Sequence, residues 1–351
     1  MRSVELIKRP PNQLLPTTAS RHVALRRTIL LLISALCVSA CSSEPERADA
    51  RIELAILTLN LHTYQELHTE GTPEAELSER QALQRIEAYG PIFDRIAAGI
   101  VELDPDIVCL QEVGEWPGDM PNDPESVQFG SSDTNMVHQI LSRLGDRHYY
   151  YTMDWSHYGW DVWLEGSAIL SKYSLSFTES RFVSNPDNGR RESWKSRNVP
   201  MAKLDVPRMG AVTVFSVHTG WWDDPDEPLQ DHYRRLLNWA AEVSEPASTT
   251  VLCGDFNIAA GSPMYPFLTR GTGFSDQYAL ANPDGMFDAT IGGGADGWED
   301  NSSGQRIDYI LINDDSSLEV KRARRVFTEQ DLGRVSDHVG IFAEFEIARV
   351  R

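Results

Sequence analysis

"TTVLCGDFN", residues 249–257, begins as a β-branched and apolar run suited to a buried strand and ends in Gly254, Asp255 and Asn257. Period-two geometry points Asp255 and Asn257 the same way. A strand that only packed would gain nothing from a carboxylate and a carboxamide side by side at its end. The pattern recurs: Asn60 ends "IELAILTLN" (52–60), Glu112 lies at the end of "DIVCLQEV" (106–113), and His218 ends "AVTVFSVH" (211–218). Asp308 lies in "RIDYI", and Asp337-His338 in "SDHVG", directly ahead of "GIFAEFEI" (340–347). Each alone suits a turn or a cap. Their recurrence at one topological position points instead to a shared site.

Working outward, strand signals also appear at "HYYYTM" (148–153), "GSAILSK" (166–172), "VPMAKLDV" (199–206), "IDYILIN" (307–313) and "LEVKRARRVF" (318–327), ten strands in all. Helices interleave with them. Ala82, Ile86, Tyr89, Phe93, Ile96, Ile100 and Leu103 keep a helical spacing that Pro91 should kink or split in two. "TNMVHQILSRLG" reads as a helix stopped by Gly145, and 228–243 as an amphipathic helix opened by Pro228. Hairpin-spaced strands among helices indicate an α/β fold with mixed sheets in one domain, 52–351. Long loops are expected at 114–132, 154–165, 185–198, 219–228 and 258–306, and loops of that length are usually functional.

The amino terminus differs in kind. Arg21, Arg26 and Arg27 precede the apolar run 28–38, which is too short to span a bilayer and has the length of a signal-peptide core. "VSAC" follows and resembles the bacterial lipobox, so 1–41 reads as a lipoprotein signal with Cys41 acylated, and the polar stretch 42–51 as a tether. An exported protein, anchored through its lipid on the periplasmic or surface side of the outer membrane, is the expectation. Cys109 and Cys253 sit in apolar strands and read as buried free thiols, although export would permit a disulfide. The formal charge is −20; residues 1–41 carry six Arg/Lys and one Glu, so the remainder is near −25. Such a surface argues against tight nucleic-acid binding, while a bound cation can reverse the field locally.

Asn, Glu, His and Asp without a Cys cluster form a hard, oxygen-rich donor set that suits Mg²⁺, with Mn²⁺ as an alternative, better than zinc. The stretches "LTLNLH", "DIVCLQEV", "GSAILSK", "VHTG", "GDFN", "RIDYILIN" and "SDHVGIFAEF" occur in the order of the endonuclease/exonuclease/phosphatase superfamily, which the chain resembles over about 52–347. That resemblance implies a deoxyribonuclease I-like four-layer sandwich of two mixed β-sheets flanked by helices. It implies that Glu112 ligates a divalent metal, helped by Asn60, with Asp337 a further metal position. Asp255 and Asn257 would orient water and hold phosphate, His338 would act on the phosphoryl oxygens or the nucleophile, oriented by Asp308, and His218 would stabilise phosphoryl charge. Whether Asp255 or His338 is the base stays open.

Further stretches, "HYGWDVWLEGSAILSK" (157–172), "HTGWWDDPDEPLQDHYRRLLNW" (218–239) and "DGWEDNSSGQRIDYI" (296–310), resemble the maltose 6'-phosphate phosphatase group of that superfamily. Trp155, Trp160, Trp163, Trp221, Trp222 and Trp298 are expected in loops near the site, where rings can stack on sugars or bases. Arg197 and Arg306 are candidates for phosphate oxygens. The expectation is therefore a Mg²⁺-dependent phosphomonoesterase, a monomer, acting on a phosphorylated small molecule (a sugar, polyol or nucleotide phosphate). A phosphodiesterase of the same fold (nuclease or sphingomyelinase-like) and a non-catalytic binding lipoprotein are the alternatives.

Overall fold

Two six-stranded sheets carry the chain, and the register within each explains why the polar strand ends meet. The computed structural model describes residues 52–67, 77–118, 128–185, 191–207, 209–220, 225–293 and 302–347. The signal and tether expectations, with Cys41, lie outside the described residues, as do Trp221, Trp222 and Trp298.

In the first sheet β1 (Ile52–Asn60) runs parallel to β2 (Ile107–Glu115), which pairs antiparallel with β4 (Trp163–Ser171), and that with β3 (Tyr150–Gly159). On its other side β1 pairs antiparallel with β12 (Gly340–Ile347), which is flanked by β11 (Leu318–Val326). The second sheet repeats the scheme. There β7 (Gly210–His218) runs parallel to β8 (Thr249–Asp255), β8 antiparallel to β10 (Asp308–Asn313), and β5 (Leu175–Phe182), β6 (Asn198–Val206) and β9 (Phe274–Asp276) complete the order β5-β6-β7-β8-β10-β9. The carboxyl ends of the four parallel strands and the amino ends of β10 and β12 thus share one edge.

Pro91 does split the helical run. Helix α1 (Glu79–Ala88) abuts α2 (Gly90–Leu103), which Asp104 ends in a left-handed conformation. With α3 (Met136–Leu141), capped by Asn135 Oδ1 accepting from Val137 N–H at 2.9 Å, they cover the outer face of the first sheet. Helix α4 (Leu229–Val243) lays Tyr233, Leu236 and Trp239 on the outer face of the second, where α5 (Tyr265–Thr269) also packs. Between the sheets a third apolar layer joins Ile56, Ile107 and Ile169 to Leu204, Val214 and Val251. The result is the expected four-layer sandwich.

Five expectations are corrected. There are twelve strands among the described residues: β5 is a polar sheet edge that leaves Phe177 exposed, and β9 is three residues long, so neither shows apolar alternation. The expected loop 154–165 is mostly the β3–β4 hairpin, turning at Trp160 and Asp161 with positive φ. The expected loop 258–306 contains α5, β9 and α6 (Gln277–Ala281). Trp155 and Trp163 are therefore fully buried core rather than site rim. Cys109 and Cys253 form a disulfide linking β2 to β8, with Cα atoms 6.3 Å apart, because the facing strands bring two buried sulfurs together from opposite sheets.

Gly254 marks where β7 and β8 approach. It has φ 149°, and a Cβ there would lie 1.9 Å from Val217 O, whereas at Gly145, with φ 64°, nothing lies within 4 Å. Gly254→Ala combines backbone strain with overpacking and should lower the unfolding free energy by about 3 kcal/mol, against about 1 kcal/mol for Gly145→Ala. Denaturant titration checks the difference; equal losses would contradict the close approach.

Candidate active site

Each polar side chain reaches the shared edge through a specific local device. Glu112 occupies a β-bulge: pairing with β4 skips between Leu110 and Val113, and Glu112 takes φ 47°, which re-aims its carboxylate. Asn60, two residues beyond Thr58 on β1, donates from Nδ2 to Glu112 Oε1 at 2.7 Å and to Asp255 Oδ2 at 3.2 Å. In the second sheet the register places His218 beside Asp255 and Asp255 beside Asp308. Asn257, itself at φ 51°, donates its backbone N–H to Asp255 Oδ1 at 2.8 Å and its Nδ2 to Thr219 O at 2.9 Å. Asp255 is thereby held with Oδ2 facing the opposite sheet.

His338 completes the ring. Its Nδ1–H donates to Asp308 Oδ2 at 2.9 Å, and its Nε2 lies 3.7 Å from Asp255 Oδ2. His218 Nε2 lies 3.8 Å from Glu112 Oε1 and 4.0 Å from Asp255 Oδ2. One carboxylate oxygen thus faces an amide and two imidazoles, at separations a bound group could bridge. Asp337 stands apart at the rim, 3.3 Å from His62 Nδ1, which also pairs with Glu66 Oε1 at 3.0 Å. His62 packs edge-on against Trp160.

Burial and like charge dominate the electrostatics. Burial, reinforced by Glu165, pushes the Glu112 carboxyl up to about 8. Burial and the neighbouring Asp308 push Asp255 up to about 7. For His338, burial acts downward but is outweighed by the charge and hydrogen bond of Asp308, leaving an imidazole well above its ordinary value. His218 moves the other way, held well down by burial and the nearby Arg197 guanidinium. The two imidazoles are therefore pushed in opposite directions, His338 toward the cation and His218 toward the neutral form.

Glu112, His218 and Asp255 offer ligand atoms within 4.8 Å of one another, as do Asp255, Asp308 and His338. Asp308 Oδ1 is buried with no hydrogen-bond partner among the described residues. Two raised carboxyls, an amide and an orphaned carboxylate oxygen are a donor set that a hard divalent cation would satisfy.

Two expected substrate contacts, Arg306 and Arg197, lie in the interior. Arg306 is 1% exposed; it donates from Nη2 to Asp276 Oδ2 and from Nε to Met286 O, each at 2.7 Å, and lies over the Tyr309 ring. It is a structural ion pair, because the chain before β10 turns its side chain away from the edge. Arg197 is 3% exposed, with Nη1 donating to Trp194 O and Ser196 O, so it supplies positive field beside His218 from within the interior. Sequence reasoning also missed Glu165. Burial would raise its carboxyl, but the charge and hydrogen bond of His157, 3.2 Å away, with His218 and Arg197, hold it down at about 2. Thr63 Oγ1 lies 2.9 Å from Glu165 Oε2. The available signal was an acid and a histidine in one hairpin, which register brings opposite each other.

The sequence model of the Endonuclease/Exonuclease/phosphatase family matches residues 84–338. Among solved structures, the chain is similar to an endonuclease/exonuclease/phosphatase family protein from Leptotrichia buccalis, with 22% identity, TM-score 0.64, and 84% of this chain and 99% of that one covered. It is also similar to ANGEL2, a 2',3'-cyclic phosphatase (18% identity, TM-score 0.57, 85% and 96% covered). A mannosyl-6-phosphatase from Bacteroides thetaiotaomicron gives 17% identity and TM-score 0.54, with 83% and 99% covered. At these identities the likeness shows the fold alone. No curated protein matches the chain by sequence.

The raised groups give the metal-free protein a defined pH response. Folded, Glu112 and His62 keep protons to about 8 and 9, against ordinary values of 4.5 and 6.5. The native state then holds more protons than the unfolded chain, so stability falls as pH rises from about 6.5 to 9. His218 and His232, held down by burial, act with opposite sign below 6.5, outside that window. Urea midpoints in chelator should decline across the window and decline less in Glu112→Gln; a rising midpoint would contradict the assignment.

Proposed function

The chain belongs to the endonuclease/exonuclease/phosphatase family, and on that premise we propose that it is a Mg²⁺-dependent phosphomonoesterase acting on a small sugar, polyol or nucleotide phosphate. The observation that carries the reading is the ring around Asp255 Oδ2: Asn60 Nδ2 at 3.2 Å, His338 Nε2 at 3.7 Å and His218 Nε2 at 4.0 Å. Packing alone gives no reason to gather these groups where carboxylate burial is costly.

Glu112 and Asn60 are the residues that would hold the ion, with Asp337 at the rim. A divalent ion bound there supplies charge neutralisation at the phosphoryl group and acidifies water. The chain's own groups do the rest. Asp255, with a carboxyl near 7 and Oδ1 pinned by Asn257, accepts the proton of the attacking water at Oδ2. His338, already protonated, donates from Nε2 to a phosphoryl oxygen while Asp308 holds its Nδ1–H. This favours Asp255 over His338 as the base, since an imidazolium has no lone pair to accept a proton. His218 offers a neutral hydrogen bond on the opposite side.

Two structural neighbours carry the names of a mannosyl-6-phosphatase and a 2',3'-cyclic phosphatase, one of each ester type. Phosphodiester cleavage on the same residues is therefore the second reading. We further propose that the protein is exported and anchored through Cys41 as a monomer; the Cys109–Cys253 disulfide suits an oxidising compartment.

Phosphate release from a panel of sugar, polyol and nucleotide monoesters should vanish with chelator and return with Mg²⁺. Asp255→Ala should lower it at least about 1,000-fold. Asp308→Asn should lower it about 10- to 100-fold and move the alkaline limb of the pH profile downward, because His338 loses the charge that keeps it protonated. Full activity in Asp255→Ala would refute the site, and cleavage of plasmid DNA without monoester turnover would establish the second reading.

A further inference from the structure

Below the polar edge the facing surfaces of the two sheets are layered. Beside the edge residues lie Thr58, Gln111 and Ser216, all fully buried, with Gln111 the register partner of Asn60. Thr58 Oγ1 donates to Gln111 Oε1 at 3.1 Å, Gln111 Nε2 to Ser216 Oγ at 2.9 Å, and Ser216 Oγ to Leu110 O at 3.0 Å. This chain crosses from the first sheet to the second. The Cys109–Cys253 disulfide lies at the same level, since Cys109 pairs with Thr58 and Cys253 with Ser216 in the strand register.

The disulfide's position along its strands is specific. Cys253 precedes Asp255 by two residues on β8, and Cys109 precedes Glu112 by three on β2, the extra residue being the bulge. It lies roughly 7 Å below the carboxylates at the rise of an extended strand. Its neighbours between the sheets are side chains such as Ile56, Val214 and Ile310, whose contacts are non-directional, so directional restraint across the sheets falls to the disulfide and to the Gln111–Ser216 and Asn60–Asp255 hydrogen bonds. A disulfide limits the Cα separation to a narrow range. Metal ligands, in turn, tolerate displacements of only about 0.2 Å.

We infer that the Cys109–Cys253 disulfide is a positioning element of the active site, holding the end of β2 that carries Glu112 in register with the end of β8 that carries Asp255. The inference rests on the metal-assisted reading above for its consequence, and on the layering alone for its structural content. A disulfide that acted only by restricting the unfolded chain would stabilise every region alike and leave the edge geometry unchanged.

The test uses the full chain, with the disulfide verified by mass, against C109A/C253A and a destabilised control. Leu204→Ala on β6 is that control: it removes a fully buried side chain from the same inter-sheet layer and leaves both cysteines in place. C109V/C253A, which refills lost volume, replaces the first variant if that fails to fold. Mn²⁺ affinity, read from the free-ion electron paramagnetic resonance signal, should weaken about 10-fold in the Cys variant and less than about 2-fold in the control. Metal-free amide exchange at 110–113 and 254–257 should be at least about 10-fold faster in the Cys variant than in the control. Equal exchange in the two overturns the clamp. If the wild-type protein binds no Mn²⁺, the metal reading falls and exchange alone decides the inference.

Discussion

A side-chain amide joins the two sheets at the polar edge. Asn60 Nδ2, at the end of the first sheet's central strand, donates to Glu112 from its own sheet and to Asp255 from the other. An amide nitrogen carries two hydrogens, so it can serve both carboxylates at once, and no longer side chain would hold them as close. The twofold repetition of parallel pair plus antiparallel neighbour in each sheet brings the strand ends to this point. Asn60 converts that convergence into a defined spacing.

Close carboxylates in a buried place are expensive, and the structure distributes the cost. His338 is a cation because Asp308 stands behind it, and Glu165 stays ionised because His157 and Arg197 surround it. Glu112 and Asp255 have no such full compensation and are left with raised carboxyls. An excess of negative charge at the edge coexists with a chain whose net charge is −20. On the proposed reading, long-range repulsion of a phosphorylated ligand would be overcome locally, by His338, by the interior charge of Arg197 and by a divalent cation.

Much of the site was legible in the sequence because strand ends are short-range features. Asp255, Asn257, Glu112 and His218 each follow an apolar run whose length sets where the strand stops, and the parallel register does the rest. What could not be read depends on contacts between distant segments. Arg306 looked like a phosphate ligand until Asp276, from an unforeseen three-residue strand, claimed it. Glu165 and His157 vanished into an apparent loop because a buried ion pair in a hairpin reads, residue by residue, as polarity. The disulfide between Cys109 and Cys253 required knowing that β2 and β8 face each other across the core. Edge strand β5, half exposed, carries no alternation to detect.

The central claim is that residues from both sheets meet around one cation and one phosphoryl group. Anomalous diffraction from crystals soaked with Mn²⁺ and inorganic phosphate tests it most directly. The account predicts an ion bonded to the Glu112 carboxylate at about 2.1 Å, with a phosphate lying between Asp255, His338 Nε2 and His218. An ion seated only at the rim, between His62, Glu66 and Asp337, with phosphate elsewhere, would contradict it.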